Sequence, residues 1–492
     1  MITGAKKTFA LFVLLVLVAC AEAKSTPQAT NMLGTLIPVV TSPTNQPSDT
    51  PTPFPYPLPS QPNNNPTPFP SLSPSLSPSP LPSPTISPTA QVRPTYYFGH
   101  LQMFDANIGW IVYFDFLAKD SKILRTTDGI KTWINVSPSI PESNSLCAAF
   151  FMDINTAVVV SCRTFLPEPL KKEVTAWQTT DGGHTWQTGE TFLLDQDCFP
   201  LGDQIMFLDK YHGWMMCAST RSMHHSWIAL FETQDGGMHW KTVYDTPHHL
   251  AGPDPLWISG FYPYSEYFTF VTEMTGFFSN RKMFITRDGG KSWLSDPLDP
   301  PVDLPDIDCK SDMGECKYLN TVSIPRFTSI QDGVLMRRVY TNTEDASLVF
   351  IYNASTVHLP LPKAQYLYYT HDGGQTWIPR PSPAKIGTVY FQDAKTGWFL
   401  GKNDPDPSTL TQLYQTADGG TTWKQISSDC ALPLGSEIQF VNEKTGYAFE
   451  TFTVSRYYRD YDARVKTAKS SDIYYTDDGG HSWVKIELQL TP

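Results

Sequence analysis

A turn signature recurs along most of this 492-residue chain, and it constrains the fold more than any other feature. Each copy reads Thr-x-Asp-Gly-Gly-x-Thr/Ser-Trp. The seven aspartates are Asp128, Asp181, Asp235, Asp288, Asp372, Asp418 and Asp478. The closing tryptophans are Trp133, Trp186, Trp240, Trp293, Trp377, Trp423 and Trp483. Two copies depart from the pattern, with Ile130 replacing the second glycine and His239 replacing the threonine or serine. Self-similarity of this kind predicts a repeat architecture.

The residues of this signature have structural roles that follow from their chemistry. Glycine supplies the positive φ angles of a tight hairpin without steric cost. The aspartate carboxylate can accept hydrogen bonds from backbone N–H groups across the turn. The tryptophan begins the outgoing strand and offers a large apolar face to the neighbouring unit. We therefore predict that these aspartates and tryptophans are structural, and we assign no catalytic residue.

A second signature, Phe-x-Asp-x-x-x-Gly-Trp/Tyr, precedes most copies of the first. Its forms start at Phe104, Phe207 (read with one extra residue), Phe391 and Phe440, and more weakly at Phe151, near Val271 and near Ile330. Two hairpin signals per unit of roughly fifty residues predict four strands per unit. Seven such units without helical periodicity predict an all-β fold, a seven-bladed β-propeller of four-stranded antiparallel blades.

The propeller is predicted to span residues 96–492. The spacing from Asp288 to Asp372 exceeds that between the other neighbouring aspartates, so the fifth unit is longer. The surplus predicts an insertion at about residues 294–330 and 340–365.

The charge balance excludes some classes of ligand. The formal net charge is −12, which disfavours nucleic acid as a partner because phosphate binding needs clustered lysine and arginine. The acidic loops match no EF-hand spacing. We predict neither a metal nor a cofactor.

The first residues form a targeting segment. Lys6 and Lys7 precede an apolar run, residues 8–19, that is too short to span a bilayer comfortably. The run ends in Leu-Val-Ala before Cys20 and resembles a bacterial lipobox. The resemblance implies a signal peptide over residues 1–19 and diacylglycerol and palmitate on Cys20. We expect a lipoprotein on the extracytoplasmic face of the bacterial cell membrane; the alternative is an ordinary secretory signal with an incidental cysteine.

Residues 20–95 form a linker of different composition. Twenty of the 43 prolines lie between residues 26 and 95, mixed with serine, threonine and asparagine. Such a stretch cannot bury enough apolar surface to fold, and proline favours an extended chain. We predict a disordered stalk whose extended limit is on the order of 200 Å.

Seven cysteines follow Cys20, and export would place them where disulfides persist. Sequence alone does not determine the pairing. The plausible pairs are Cys309 with Cys316 in one acidic loop, Cys147 with Cys162, and Cys198 with Cys217. Cys430 would then be left over, and we predict that it is a buried, inert thiol.

The first signature resembles the Asp-box, or BNR repeat, of sialidases, sortilins and xyloglucanase-type glycoside hydrolases. Paired with the second signature, residues 96–492 look most like the propeller family of photosystem II assembly and stability factors. That resemblance implies a non-enzymatic binding or assembly module with a protein partner or membrane complex, and a function in photosynthesis. It also implies an arginine-rich binding patch, for which the candidates are Arg337, Arg338 and Arg456.

Two other functions stay open at this stage. A sialidase-like or other glycoside hydrolase would need paired carboxylates about 5–10 Å apart, which sequence cannot show. The Arg-Ile-Pro signature of sialidases does not occur; Ile324-Pro325-Arg326 holds the same residues in another order and lies far downstream of the first signature. A carbohydrate-binding propeller would need exposed tryptophan and tyrosine on one face, and a glycan partner therefore also remains open.

Overall fold

A computed structural model describes the greater part of the predicted propeller. The described ranges are residues 96–115, 120–163, 171–195, 204–222, 225–245, 258–259, 267–280, 282–296, 298–305, 318–341, 362–404, 409–430, 432–449, 472–488 and 490–491. The predicted signal peptide, Cys20 and stalk lie outside these ranges, as do the Cys309–Cys316 pair and Arg456. The predicted insertion lies partly outside them, since residues 306–317 and 342–361 are not described.

The described residues form seven separate β-sheets, which follow one another along the chain as blades 1 to 7. Blade 1 contains β1 (Tyr96–Met103), β2 (Gly109–Asp115), β3 (Asp120–Thr126) and β4 (Trp133–Asn135). Blade 2 contains β5 (Ser145–Phe151), β6 (Ala157–Arg163), β7 (Lys171–Thr179), β8 (Gln187–Thr188) and β9 (Phe192–Asp195). Blade 3 contains β10 (Ile205–Phe207), β11 (Gly213–Ser222), β12 (His225–Thr233), β13 (Lys241–Asp245) and β14 (Ile258–Ser259). Blade 4 contains β15 (Tyr267–Phe270), β16 (Gly276–Asn280), β17 (Lys282–Thr286) and β18 (Leu294–Asp296).

The remaining three blades repeat this arrangement. Blade 5 contains β19 (Tyr318–Val322), β20 (Arg326–Phe327), β21 (Gly333–Thr341), β22 (Ala364–Thr370) and β23 (Ile378–Pro381). Blade 6 contains β24 (Ile386–Phe391), β25 (Gly397–Lys402), β26 (Thr411–Thr416) and β27 (Lys424–Cys430). Blade 7 contains β28 (Glu437–Phe440), β29 (Gly446–Phe449), β30 (Ile473–Thr476) and β31 (Val484–Ile486). The last strand, β32 (Leu490–Thr491), joins blade 1.

Each blade has four consecutive antiparallel strands, so the predicted all-β, seven-bladed propeller is confirmed. First strands of neighbouring blades contact each other, as β5 does with β10, β10 with β15 and β24 with β28. Short additional strands occur in blades 2, 3 and 5, where β9, β14 and β20 pair with a strand of the same blade.

The ring closes where the two ends of the propeller meet. Strand β32 adds to the outer edge of β4 in parallel, with Leu490 opposite Trp133. At the inner edge, the Gln439 side chain of blade 7 accepts a hydrogen bond from the Met103 N–H (3.0 Å) and donates one to the Met103 carbonyl (2.6 Å). The Tyr447 hydroxyl donates to the Ala106 carbonyl at 3.0 Å. Blades 7 and 1 are thus joined at both edges.

The hydrophobic core is divided into layers between neighbouring blades. An aromatic residue at the start of the second strand of one blade stacks on the aromatic residue that ends the first strand of the next. The ring centroids of Trp214 and Phe270 are 3.9 Å apart, as are those of Trp398 and Phe440. Every closing tryptophan of the first signature packs into one of these layers. The layers explain why both signatures carry aromatic residues.

The phenylalanine and glycine of the second signature face each other across the first two strands. A Cβ on Gly397 would lie 2.7 Å from the Phe391 ring, so the ring occupies space that only glycine leaves open. The same ring meets the Trp423 ring edge-on at 6.0 Å. Glycine is therefore required here for packing within the blade.

The structure corrects the alignment of the second signature in two blades. In blade 1, Met103 and not Phe104 lies opposite Gly109, and the Met103 sulfur occupies the space that a phenylalanine ring fills elsewhere. In blade 3, Phe207 pairs directly with Gly213, so that copy has no extra residue. A flexible thioether can fill the same cross-strand gap, and a search for phenylalanine alone misses it.

Candidate functional site

The Asp-Gly-Gly turns use their aspartates for local hydrogen bonds. In blade 6, Asp418 accepts from the Thr416 hydroxyl at 2.8 Å, from the Thr422 N–H at 2.9 Å and from the Thr422 hydroxyl at 2.6 Å. The Thr416 hydroxyl in turn accepts from the Gly420 N–H at 2.9 Å. The other six turns repeat this pattern with small changes. These carboxylates hold the turn together.

The two imperfect copies keep the geometry of the turn. Ile130 has a φ of 68°, a left-handed conformation that is rare for a β-branched residue, and it is buried in the layer between blades 7 and 1. His239 places Nδ1 2.6 Å from Asp235 Oδ2, where a hydroxyl stands in the other copies. Ile130 thus keeps the backbone conformation of glycine and its N–H bond to the Thr126 hydroxyl, and His239 replaces the contact of the hydroxyl.

The second signature also forms a turn closed by its polar side chain. Asp393 Oδ1 accepts hydrogen bonds from the N–H groups of Lys395 and Thr396, both at 2.7 Å. Equivalent bonds are accepted by Asp105, Asp153, Asp209, Thr272, Ser329 and Asn442. A hydroxyl or amide oxygen serves as well as a carboxylate, because the turn needs only an acceptor.

The two turns of each blade are joined by one backbone hydrogen bond. In blade 6 the Gly419 N–H donates to the Lys395 carbonyl at 2.9 Å, and the equivalent bond occurs in all seven blades. Both turns therefore lie side by side on one face of the propeller. We call this the turn face; its segments are residues 104–108, 152–156, 208–212, 271–275, 328–332, 392–396 and 441–445, together with the seven Asp-Gly-Gly turns.

Hydrogen bonding lowers the pKa of the aspartates in the Asp-Gly-Gly turns. The bonds from Thr422 hold the pKa of Asp418 at about 2. For Asp372, burial raises the pKa, but the bonds from Thr376 outweigh it and the value is again about 2. The turn face therefore carries a fixed negative charge at neutral pH.

We predict that the propeller loses stability as the pH falls from about 4 to about 2. A carboxylate whose folded pKa lies below its unfolded pKa stabilises the fold above the unfolded value, and this contribution disappears as the pH falls through the folded value. Urea midpoints measured across this range check the slope. Asp418→Asn keeps an acceptor for Thr422 but does not titrate, so it should make the slope shallower. A midpoint independent of pH would contradict the prediction.

The two described arginines of the predicted patch make contacts within the propeller. Arg337 is only 3% exposed, with its Nη1 3.5 Å from the Tyr368 hydroxyl. Arg338 donates to the Gln365 side chain at 3.0 Å and to the Gly387 carbonyl of blade 6 at 2.9 Å. Arg337 is therefore unable to contribute to an exposed patch, and Arg338 joins blades 5 and 6. The patch stays a prediction for Arg338, which is half-buried, and for Arg456.

A shallow depression lies between blades 5 and 6 at the turn face. Its empty volume is about 250 Å³, open to solvent, and Arg326, Asp332, His371 and Asp393 contribute to its lining. His371 Nδ1 is 2.8 Å from Asp332 Oδ1, and Arg326 lies 3.8 Å from Glu437. Asp393 closes its own turn. Each of these four groups therefore has a partner, and only His371 and Asp332 are paired with each other.

The described ranges lack two further features. No three histidine, cysteine, aspartate or glutamate side chains converge there as a metal site would require. That part of the chain also contains no apolar helix of membrane-spanning length.

The described cysteines include one complete disulfide. Cys147 and Cys162 are bonded across the first two strands of blade 2. Cys217 is also disulfide-bonded, while Cys198 lies outside the described residues. Cys430 is a free thiol, 1% exposed, and burial raises its pKa. A buried thiol with a raised pKa is a poor nucleophile.

The fold and the paired turns define a seven-bladed β-propeller built from one repeated two-turn unit. Over 173 residues the chain is 28% identical to the photosystem II stability/assembly factor HCF136, chloroplastic, of Arabidopsis thaliana. The match covers 34% of this chain and 34% of that protein, so it spans about a third of the relative's length. No protein-family model matches the chain.

Two solved structures align with much of this chain. A structure described as YCF48 bound to D1 peptide aligns over 73% of this chain and 91% of that one, with a TM-score of 0.38 and 16% identity. A polysaccharide lyase of family PL25, an ulvan lyase, aligns over 80% and 96%, with a TM-score of 0.45 and 10% identity. Likeness at these identities does not extend to function.

Proposed function

We propose that this chain is an extracytoplasmic binding module, tethered by a lipid on Cys20, whose propeller binds a protein partner during assembly of a membrane complex. One observation carries the proposal: both turns of every blade use a side-chain oxygen, most often that of an aspartate, as a hydrogen-bond acceptor for the turn itself. The turn face is thus a rigid surface that presents side chains for contact. The 28% identity to a photosystem II stability/assembly factor supports a protein partner in an assembly process.

The N-terminal segments supply the tether in this proposal. The lipobox-like sequence before Cys20 suits lipid attachment, and one lipidated cysteine with its acyl chains anchors a protein without a transmembrane helix. The proline-rich linker of residues 20–95 would let the propeller reach a partner on the order of 200 Å from the membrane.

We predict that Cys20→Ala moves the protein from the membrane fraction to the soluble fraction of fractionated cells. The reason is that a thiol is the only side chain that can take the diacylglycerol. Cys430→Ala is the matched control, since this cysteine is buried in the propeller, and it should leave the protein in the membrane fraction. Immunoblotting of both fractions gives the result. Retention of the Cys20→Ala protein on membranes would show that another element anchors it.

The binding function is tested by crosslinked affinity capture of the tagged full-length protein from its own membranes, read by mass spectrometry. The proposal expects one protein or complex that is recovered again when the purified components are mixed, at a defined stoichiometry. Capture of nothing above background, with turnover of a polysaccharide by the purified protein, would instead support the glycoside hydrolase alternative.

A further inference from the structure

The turn face is not the same all around the ring. In blades 2 to 5 the tip of the second-signature turn carries a large exposed apolar side chain. Their exposed fractions are 37% for Ile154, 50% for Tyr211, 53% for Met274 and 65% for Ile330. The equivalent tips of the other three blades carry Ala106-Asn107, Ala394-Lys395 and Glu443-Lys444. Four consecutive blades thus form an apolar arc, defined by these four residues.

The arc is rigid because its turns are fixed by the bonds already described. The carbonyls of Tyr211 and Met274 accept from the first glycine of the adjacent Asp-Gly-Gly turn, at 2.8 Å and 3.0 Å. The carbonyl of Ile154 accepts from Arg125 of blade 1 at 2.9 Å, which ties this turn to the preceding blade. Apolar side chains held in fixed positions on exposed tips do not contribute to the core, and grouping on one face is typical of a contact surface.

The charges around the arc indicate what it contacts. The turn segments of blades 2 to 5 contain eight carboxylates: Asp153, Asp181, Asp209, Asp235, Glu273, Asp288, Asp332 and Asp372. The same segments contain only three lysine or arginine side chains, those of Lys210, Arg287 and Lys291. Of the histidines, His212, His239 and His371 each lie within 3 Å of one of the same carboxylates. The apolar tips are therefore surrounded by excess negative charge.

We infer that the apolar arc binds a protein segment that presents apolar side chains beside lysine or arginine, such as a cationic amphipathic helix. The partner's apolar side chains would cover Ile154, Tyr211, Met274 and Ile330, and its cations would meet the surrounding aspartates. Complementary charge fixes the orientation and raises the rate of association. An anionic lipid surface would be repelled by the same carboxylates. This inference rests on the proposed function, since it takes the partner to be a protein.

The chain provides a matched pair of variants for the test. The arc variant combines Ile154→Ser, Tyr211→Ser, Met274→Ser and Ile330→Ser. The control variant combines Leu193→Ser, Leu294→Ser, Ile378→Ser and Val484→Ser, four residues on outer strands that are 49% to 67% exposed. Exposed positions of this kind contribute little to stability, and thermal melting of both variants verifies that they fold.

The probes are synthetic helices of about 18 residues, one of leucine and lysine and one of leucine and glutamate, both amphipathic. Binding to the full-length protein is followed by fluorescence anisotropy at pH 8. We expect the leucine–lysine helix to bind the wild type and the control variant alike, and the arc variant at least about tenfold more weakly. The leucine–glutamate helix should bind the wild type at least about tenfold more weakly than its cationic counterpart.

Three outcomes would overturn the inference. Equal binding of the cationic helix to all three proteins would mean that net charge alone attracts it. Equal binding of both helices to the wild type would remove the role of the carboxylates. Binding of the wild type to phosphatidylglycerol vesicles, lost in the arc variant, would assign the arc to a lipid surface. If membrane capture still recovers a partner with the arc variant, the proposed function stands and only its location on the turn face is wrong.

Discussion

Replacing Gly374 by alanine is expected to destabilise the propeller by about 3–4 kcal/mol, from backbone strain and overpacking together. Gly374 has a φ of 77°, where an L-residue is strained. A Cβ at this position would lie 2.3 Å from Cζ of Phe277. Phe277 cannot retreat, because it is fully buried and stacks on Phe327. The free energy of unfolding from urea denaturation measures the loss.

Gly435→Ala separates the two contributions. Gly435 has a φ of 92°, but a Cβ built on it meets nothing within 4 Å. This variant should lose only about 1 kcal/mol, from the backbone conformation. Equal losses for the two variants would show that strain accounts for the whole effect, and that the second glycine of the turn is not required for packing between blades.

The fold was predictable because the same short-range chemistry occurs in every blade. A repeated Asp-Gly-Gly turn needs positive φ and a nearby acceptor, and both requirements can be read from the residue types. Ile130 shows the limit of this reasoning. It adopts a φ of 68° where glycine is expected, and its side chain fills the closing layer between blades 7 and 1. The sequence shows that isoleucine replaces glycine at this position, but it does not show what the isoleucine side chain contacts.

The candidate site was less predictable because it depends on which residues meet across blades. The adjacent Arg337 and Arg338 point to opposite sides of one strand, as alternation requires, yet sequence does not show that Arg337 is buried or that Arg338 reaches the Gly387 carbonyl of blade 6. The apolar arc could not be predicted from the sequence either. Its members occupy different positions within their turns, so that Ile154 follows the acceptor residue directly and Tyr211 comes one residue later. They share a face only because each turn is joined to its Asp-Gly-Gly neighbour.

The second large loss of stability is expected where blades 7 and 1 close the ring. Gln439→Ala should cost about 3 kcal/mol, since it leaves both the N–H and the carbonyl of Met103 without their partner in a buried setting. Met103 is 1% exposed, so water does not readily replace the amide. Gln439→Met, which keeps the length of the side chain but makes no such bonds, should lose nearly as much. Urea denaturation and hydrogen exchange of the Met103 amide give the two readouts.

A matched control variant shows whether the loss of stability on Gln439→Ala is specific to the closure. Gln425→Ala removes an exposed glutamine on the outer strand of blade 6 and should change stability by less than about 0.5 kcal/mol.

Gln439 and Met103 are 336 residues apart, whereas the other blade interfaces join segments close in the chain. The closure therefore carries the largest loop-closure entropy of the seven interfaces and should open first. Faster exchange at Met103 with little change elsewhere would locate the loss there, while uniform faster exchange would mean that the ring unfolds as one unit.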